Sequence, residues 1–453
     1  MTERPLPDSA LRVLQGAGTA APFVWGVATS AFQIEGAAAE DGRGESIWDR
    51  FCATPGKVHN GDSGAVACDH YHRMPADVAL MKSLGVDAYR FSIAWPRVQP
   101  TGAGALNPAG LAFYDRLVDR LLAAGIQPHA TLYHWDLPQA LQAGGGWLAR
   151  DTAAHFAEYA VHMGRRLGDR LASLSTHNEP WCSMVLGHAT GQFAPGLRDP
   201  AAAVAAGHHL LLSHGLALQA LRGAGVRCPL GIVLNQSAAT AATASAADRL
   251  VADQQYAGLV RWFLDPVLLG RYPEVPGVTI PQAPLLRDGD LATIRAPLDF
   301  LGVNYYTRIW ASADNKPPPR ALGVTDMGWE IYPDGLRELL TGLHAAYALP
   351  PIYITENGCA CADKLENGAV DDTARIDYLR SHLEALAQAR AAGVDVRGYF
   401  AWSLMDNFEW DSGYAKRFGL VHVDYATQVR TLKASAHWYR ELIARSRQLG
   451  KGG

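Results

Sequence analysis

Eight short runs rich in β-branched and aromatic residues recur along the chain, nearly all divided by an amphipathic helical stretch. They are FVWGVAT (23–29), AYRFSIAW (88–95), PHATLYHW (128–135), LASLSTHN (171–178), LGIVLNQ (230–236), DFLGVNYY (299–306), IYITEN (352–357) and GYFAWSL (398–404). Between them, segments such as 110–125 and 372–393 repeat apolar residues every three or four positions. Those segments end at Gly125 and Gly393, where a helix C-cap belongs. Alternation of this kind predicts parallel strands joined by crossover helices, and eight units predict a closed (β/α)8 TIM barrel. No GxGxxG follows the first run, which weighs against an open dinucleotide-binding sheet. The expected organisation is one α/β barrel domain with long βα loops over 21–445. An N-terminal extension (1–20) precedes it and a short tail (446–453) follows.

Composition narrows the functional classes. The 453 residues are 49% hydrophobic and 19% charged with a net charge of −4, as in ordinary globular proteins. No Lys/Arg cluster forms a stripe that could track a phosphate backbone, so no nucleic-acid partner is expected. No signal-like apolar block opens the chain and no run of about eighteen apolar residues occurs, so no membrane span is expected. Six scattered cysteines read as free thiols, and the cytoplasm is the expected location. His70 and His72, and the adjacent His208 and His209, lack acids or thiols at ligand spacing. They read as structural histidines. The Gly-rich stretch 102–110 lacks the Lys-Ser/Thr of a phosphate loop and reads as a surface connection.

Active sites of such barrels gather at the C-terminal strand ends. There the fourth run ends in STHNEP (175–180) and the seventh in ITENG (354–358), placing Glu179 and Glu356 across the mouth from each other. The first run leads into SAFQIEG, the second carries Arg90, and the third ends in His134-Trp135. The sixth ends in Asn304-Tyr305-Tyr306, and the eighth brings Trp402 and then MDNFEWDSGYAKRFG (405–419). Amides, a histidine, extra acids and several tryptophans at one end suit a sugar, with hydrogen-bonding groups for hydroxyls and aromatic faces for the ring.

With these motifs in this order, the chain resembles the family 1 glycoside hydrolases, the retaining β-glucosidases and their relatives, from about residue 23 to about 440. The carriers are FVWGVATSAFQIEGA, STHNEP, ITENG and WSLMDNFEWDSGYAKRFGL (402–420). The resemblance implies that Glu356 is the nucleophile and Glu179 the general acid/base. Arg90 and Tyr306 would support Glu356, and Asn178 would bind the sugar 2-hydroxyl. Gln33, His134, Trp135, Glu409 and Trp410 would hold the −1 sugar over Trp402, with Asn304, Trp329 and Phe418 lining the pocket. It implies a small-molecule or oligosaccharide β-glycoside substrate and needs neither metal nor cofactor.

Glu409 speaks against a 6-phospho-glycosidase, because its carboxylate would repel a 6-phosphate. A predominantly transglycosylating enzyme, a sugar-binding protein on an inactive barrel and a barrel oxidoreductase are the rival classes. Both glutamates are present, which opposes the inactive barrel, and no phosphate-binding signature supports the oxidoreductase. Glucose, galactose and fucose are all handled by the same residues in the family. Two local features depart from the family pattern. Cys359-Ala360-Cys361 follows ITENG on the aglycone side, and RLASLST lacks the Trp often found shortly before NEP.

Overall fold

The computed structural model describes residues 5–16 and 22–450; residues 1–4 and 17–20 of the expected extension and 451–453 of the expected tail lie outside it. Eight strands form the barrel: β1 (Val24–Ala28), β2 (Ala88–Ser92), β3 (Gln127–Tyr133), β4 (Ser173–Asn178), β5 (Leu230–Asn235), β6 (Phe300–Asn304), β7 (Ile352–Asn357) and β8 (Val396–Trp402). Each pairs in parallel with its sequence neighbour, and β1 closes the ring on β8 with Ala28 opposite Trp402. The strands stop earlier than several of the predicted runs. His134-Trp135, Glu179 and Tyr305-Tyr306 therefore sit just past β3, β4 and β6, at the barrel mouth.

The strands are buried on both faces, yet β4 reads SLSTHN rather than as a hydrophobic run. Two of its polar side chains are met by the helix Pro200–Gly223, His177 by Ser213 (2.7 Å) and Thr176 by His214 (2.7 Å), while Ser173 and Ser175 bond to His129 and Thr131 of β3. The opposite end of the barrel is plugged by rings, with His129 5.1 Å from Phe400 and Phe300 5.9 Å from Tyr353 between centroids. Gly26 is required there, since a Cβ at that position would fall 2.3 Å from the Phe400 ring. Register shifts interrupt the ladders between Ser175 and Asn178 and between Val303 and Asn304. Such irregularities re-aim side chains at barrel rims, and these lie directly below the residues predicted to work.

After β8 the chain folds back over the mouth as segment 403–420. Asp406, fully buried, fastens it by accepting from Lys433 Nζ (2.6 Å), Arg417 (2.6 Å) and the Gly419 amide (3.0 Å). Lys433 also pairs with Asp363, and Arg375 joins Asp363 (2.7 Å) to Asp372. This buried ion cluster ties the loop after β7 to the loop after β8.

The helix Pro200–Gly223 is the longest among the described residues, at 24 residues. By length and composition it is apolar enough to cross a bilayer. In its most apolar window 78% is buried inside the protein, between β4 and the neighbouring helices, which accounts for the apolar character. At the chain ends, the helix Asp8–Gln15 packs on helices Thr373–Ala391 and Ala434–Gly450, with Leu11 and Leu14 fully buried. The last helix runs through residue 446, so the boundary expected there falls within an element. Leu14→Ala should lower the unfolding free energy by about 2–5 kcal/mol, the usual range for such a core truncation. The midpoint of urea denaturation reads it, and an unchanged midpoint would mean that this helix adds nothing to the core.

Candidate active site

Arg90 on β2 places a guanidinium only 3% exposed in the barrel centre. Its Nη1 donates to Glu356 Oε1 (2.6 Å) and its Nη2 to Asn178 Oδ1 (2.6 Å). Because Arg can only donate, the second bond fixes which end of the Asn178 amide is oxygen. Asn178 Nδ2 must then donate to His134 Nε2 (3.1 Å). Burial, followed by the nearby Arg90 charge, holds the His134 pKa well below its ordinary value, so the ring is neutral. With Nε2 accepting, the proton sits on Nδ1, a buried atom with no hydrogen-bond partner among the described residues. His134 is therefore set as a donor, and the second Asn178 amide hydrogen as another.

A parallel chain of bonds holds Glu179. Thr355 donates to Asn304 Oδ1 (2.6 Å), which orients the Asn304 amide so that Nδ2 reaches Asn178 Oδ1 (3.1 Å) and Glu179 Oε1 (2.7 Å). Cys182, one turn after Glu179, donates its thiol to Glu179 Oε2 (3.1 Å). The Tyr306 hydroxyl donates to Glu356 Oε2 (2.6 Å), so each Glu356 oxygen accepts one strong bond. Both glutamates are buried, at 6% and 3% exposure. Desolvation first, and the Glu356 charge second, push Glu179 up to about 7.

Glu409 is half-buried and reached by Gln33 Nε2 (3.3 Å). Gln33 is itself held by Asn407 (3.0 Å), the Phe408 carbonyl (2.9 Å) and Ser30 (2.5 Å). Burial, then the charges of Glu356, Asp411 and Glu179, push Glu409 up to about 8. The aromatic residues divide into two groups. Trp402 and Trp410 each stack on His134, with ring centroids 5.9 Å away, and Trp135 lies 4.6 Å from Trp410. Trp329, Phe418 and Tyr306 form a second cluster, with Trp329 5.4 Å from Tyr306 and 6.2 Å from Phe418. Trp135, Glu179 and Trp410 all have positive φ (76°, 47° and 50°). Non-glycine residues rarely adopt that conformation, and it concentrates at functional sites.

Every residue singled out by sequence thus falls at this end of the barrel. The sequence reading missed Cys182, Thr355, Asn407 and Ser30. Only Cys182 left a signal, its three-residue spacing from Glu179 into the following turn. The histidine pairs are occupied elsewhere: His70 with Asp77 (2.8 Å), His72 with Asp69 (2.6 Å), His208 with Asp290 (2.9 Å) and His209 with the Trp147 carbonyl (2.9 Å). Among the described residues no three His, Cys, Asp or Glu side chains gather as metal ligands.

Two buried carboxyls held in unlike environments, with amides and indoles around them at a (β/α)8 mouth, define a carbohydrate-active enzyme. The chain belongs to glycosyl hydrolase family 1, whose sequence profile matches residues 19–448. It is similar to a β-glucosidase of an Agrobacterium species, 48% identical over 93% of this chain and 94% of that one. It is also 48% identical to a bifunctional β-D-glucosidase/β-D-fucosidase of Bifidobacterium breve, over 93% and 97% of the two chains. A solved structure of the Agrobacterium tumefaciens virulence factor SghA with its substrate analog salicin superposes with a TM-score of 0.91, at 46% identity over 97% and 99% of the chains.

The raised carboxyl at 409 has a thermodynamic signature. Its folded value of about 8 exceeds the ordinary 4.5, so between those values the native state keeps a proton that the unfolded chain has lost. Stability associated with it is whole below about pH 4.5 and is lost as pH rises through about 8. Glu409→Gln should therefore gain thermal stability relative to the parent between pH 4.5 and 8.5 in scanning calorimetry. A constant difference across that range would show that Glu409 ionises normally.

Proposed function

We propose that this chain is a retaining β-glucosidase that removes a terminal β-linked glucose by double displacement, with Glu356 as nucleophile and Glu179 as general acid/base. The observation that carries it is the unlike bonding of the two carboxyls. Glu356 accepts from a guanidinium and a phenol, which favour its anionic, attacking form. Glu179 has no cation bonded to it, lies in an apolar turn and faces the Glu356 charge, so it holds its proton until about pH 7.

In the first step Glu356 attacks the anomeric carbon as Glu179 transfers its proton to the leaving oxygen. Esterification then cancels the Glu356 charge. The Glu179 pKa falls, and it takes a proton from the water that cleaves the ester and restores both groups. The free hydrogen of Asn178 Nδ2 suits the 2-hydroxyl, a contact that strengthens as C1 gains positive charge. Gln33 and Glu409 suit the remaining hydroxyls, with Trp402 beneath the ring.

The charged groups acting on Glu409 are Glu356, Asp411 and Glu179, all acids. That field disfavours a 6-phosphorylated sugar. It leaves galactose and fucose open, and the bifunctional Bifidobacterium relative is a β-D-fucosidase as well as a β-D-glucosidase. The six free thiols support a cytoplasmic location.

Glu179→Gln should slow hydrolysis of an alkyl β-glucoside by about 10²–10⁴-fold while sparing the first step on a dinitrophenyl glucoside, which needs no acid. Initial rates on the two substrates give the answer, and equal losses would remove Glu179 from the acid role. The parent enzyme should lose kcat/KM above about pH 7 as Glu179 deprotonates. A rate that stays flat to pH 9 would contradict the assignment.

A further inference from the structure

The CAC stretch after the ITENG strand takes no part in the mechanism above, yet the structure sets its two sulfurs against each other. Cys359 Sγ and Cys361 Sγ are 3.7 Å apart. Cys359 is buried at 2% exposure, whereas Cys361 is partly open. Two residues separated by one other stand at most about 7 Å apart between Cα atoms. Most of that range suits a disulfide, which accepts about 4.4–6.8 Å, so side-chain rotation together with turning of the intervening peptides can close this pair.

We infer that Cys359 and Cys361 are a peroxide-sensitive dithiol that closes to a disulfide on the wall of the substrate cleft. The open member reacts first. The Cys361 thiolate attacks one peroxide oxygen, the O–O bond breaks, and the other oxygen leaves as water or alcohol after taking a proton. Cys361 is then a sulfenic acid. The Cys359 sulfur, giving up its proton, displaces that hydroxyl as water and forms the S–S bond. The two thiols lose two electrons in all and the peroxide gains them. The surroundings favour this order, because the Cys359 S–H bond, then the Arg375 charge, lower the Cys361 pKa, whereas burial raises that of Cys359 well above the ordinary value.

The residue between the thiols connects this chemistry to the pocket. The Ala360 carbonyl accepts from the Asp326 amide (3.0 Å), and the Cys361 amide donates to the Arg417 carbonyl (3.1 Å), one residue before Phe418. The Ala360 side chain packs in one cluster with Trp402 and Phe418, against Trp329 and Tyr306. Gly358 pins the other side, since a Cβ there would lie 1.8 Å from the Trp402 carbonyl oxygen. With both ends held, drawing the sulfurs together must turn the Ala360 peptides and shift the Phe418–Trp329 wall. A strained small ring of this kind is readily reduced, so the change reverses with a dithiol reductant.

The test treats the intact enzyme with a few equivalents of hydrogen peroxide, alkylates without reduction and digests. The peptide spanning 359–361 should lose two hydrogens in mass, escape alkylation at both cysteines and recover both thiols with dithiothreitol. In parallel, kcat/KM on p-nitrophenyl β-glucoside should drop at least threefold and return on reduction, and Cys361→Ser should abolish the response. Alkylation of both cysteines after peroxide, or oxidation of Cys361 only to the sulfinic acid, overturns the inference. So does a rate loss that persists in Cys361→Ser. The mass result stands apart from the roles proposed for Glu179 and Glu356, on which only the rate change rests.

Discussion

The guanidinium of Arg90 is the contact on which the rest of the site depends. A buried cation is costly unless paired, and removing one partner of a buried pair typically costs about 3–5 kcal/mol. Here the pairing is made with two strands at once, to Glu356 at the end of β7 and to Asn178 at the end of β4. Through Asn178 the same charge settles the amide orientation, the His134 tautomer and, with Thr355, the direction of the Asn304 amide. One cation thus specifies the donor and acceptor pattern across nearly half of the barrel mouth, without flexible surface groups taking part.

The division of labour proposed for the two carboxyls follows from that placement. Glu356 keeps the cation and a phenol; Glu179 receives an amide and a thiol, both weaker donors, and stands in the field of its partner. Burial raises the Glu179 pKa, and in the proposed mechanism the asymmetry of partners is what separates a nucleophile from an acid. The concentration of acids at 179, 356 and 409 with so little positive charge costs stability at neutral pH. The ion cluster of Asp363, Asp372, Arg375, Asp406, Arg417 and Lys433 ties the two mouth loops to each other. The positive φ at Glu179, Trp135 and Trp410 belongs to the same balance, local strain held by a rigid frame.

Much of this was legible in the sequence, because strand and helix periods are local and a barrel converts strand order into spatial position. The eight runs gave the strands, and the Asn-Glu and Glu-Asn pairs marked the ends of β4 and β7. What escaped was what depends on contacts distant along the chain. The polar β4 was readable as a strand, but only the packed helix Pro200–Gly223 explains how Thr176 and His177 tolerate burial. Asn407 behind Gln33 is 374 residues distant, and no local pattern could pair them. The helix at Asp8–Gln15 lies in a stretch that read as an extension because its few leucines form too short a period to be recognised alone.

The central claim is that Glu356 carries the sugar between two displacements. A 2-deoxy-2-fluoro-β-glucoside with a dinitrophenol leaving group slows both steps but the second more, so a covalent intermediate should accumulate. Intact mass should show one fluoroglucosyl unit per chain, and digestion should place it on the peptide containing Glu356. Label on Glu179, or full turnover-dependent release of dinitrophenol with no covalent label at any time, would contradict the account.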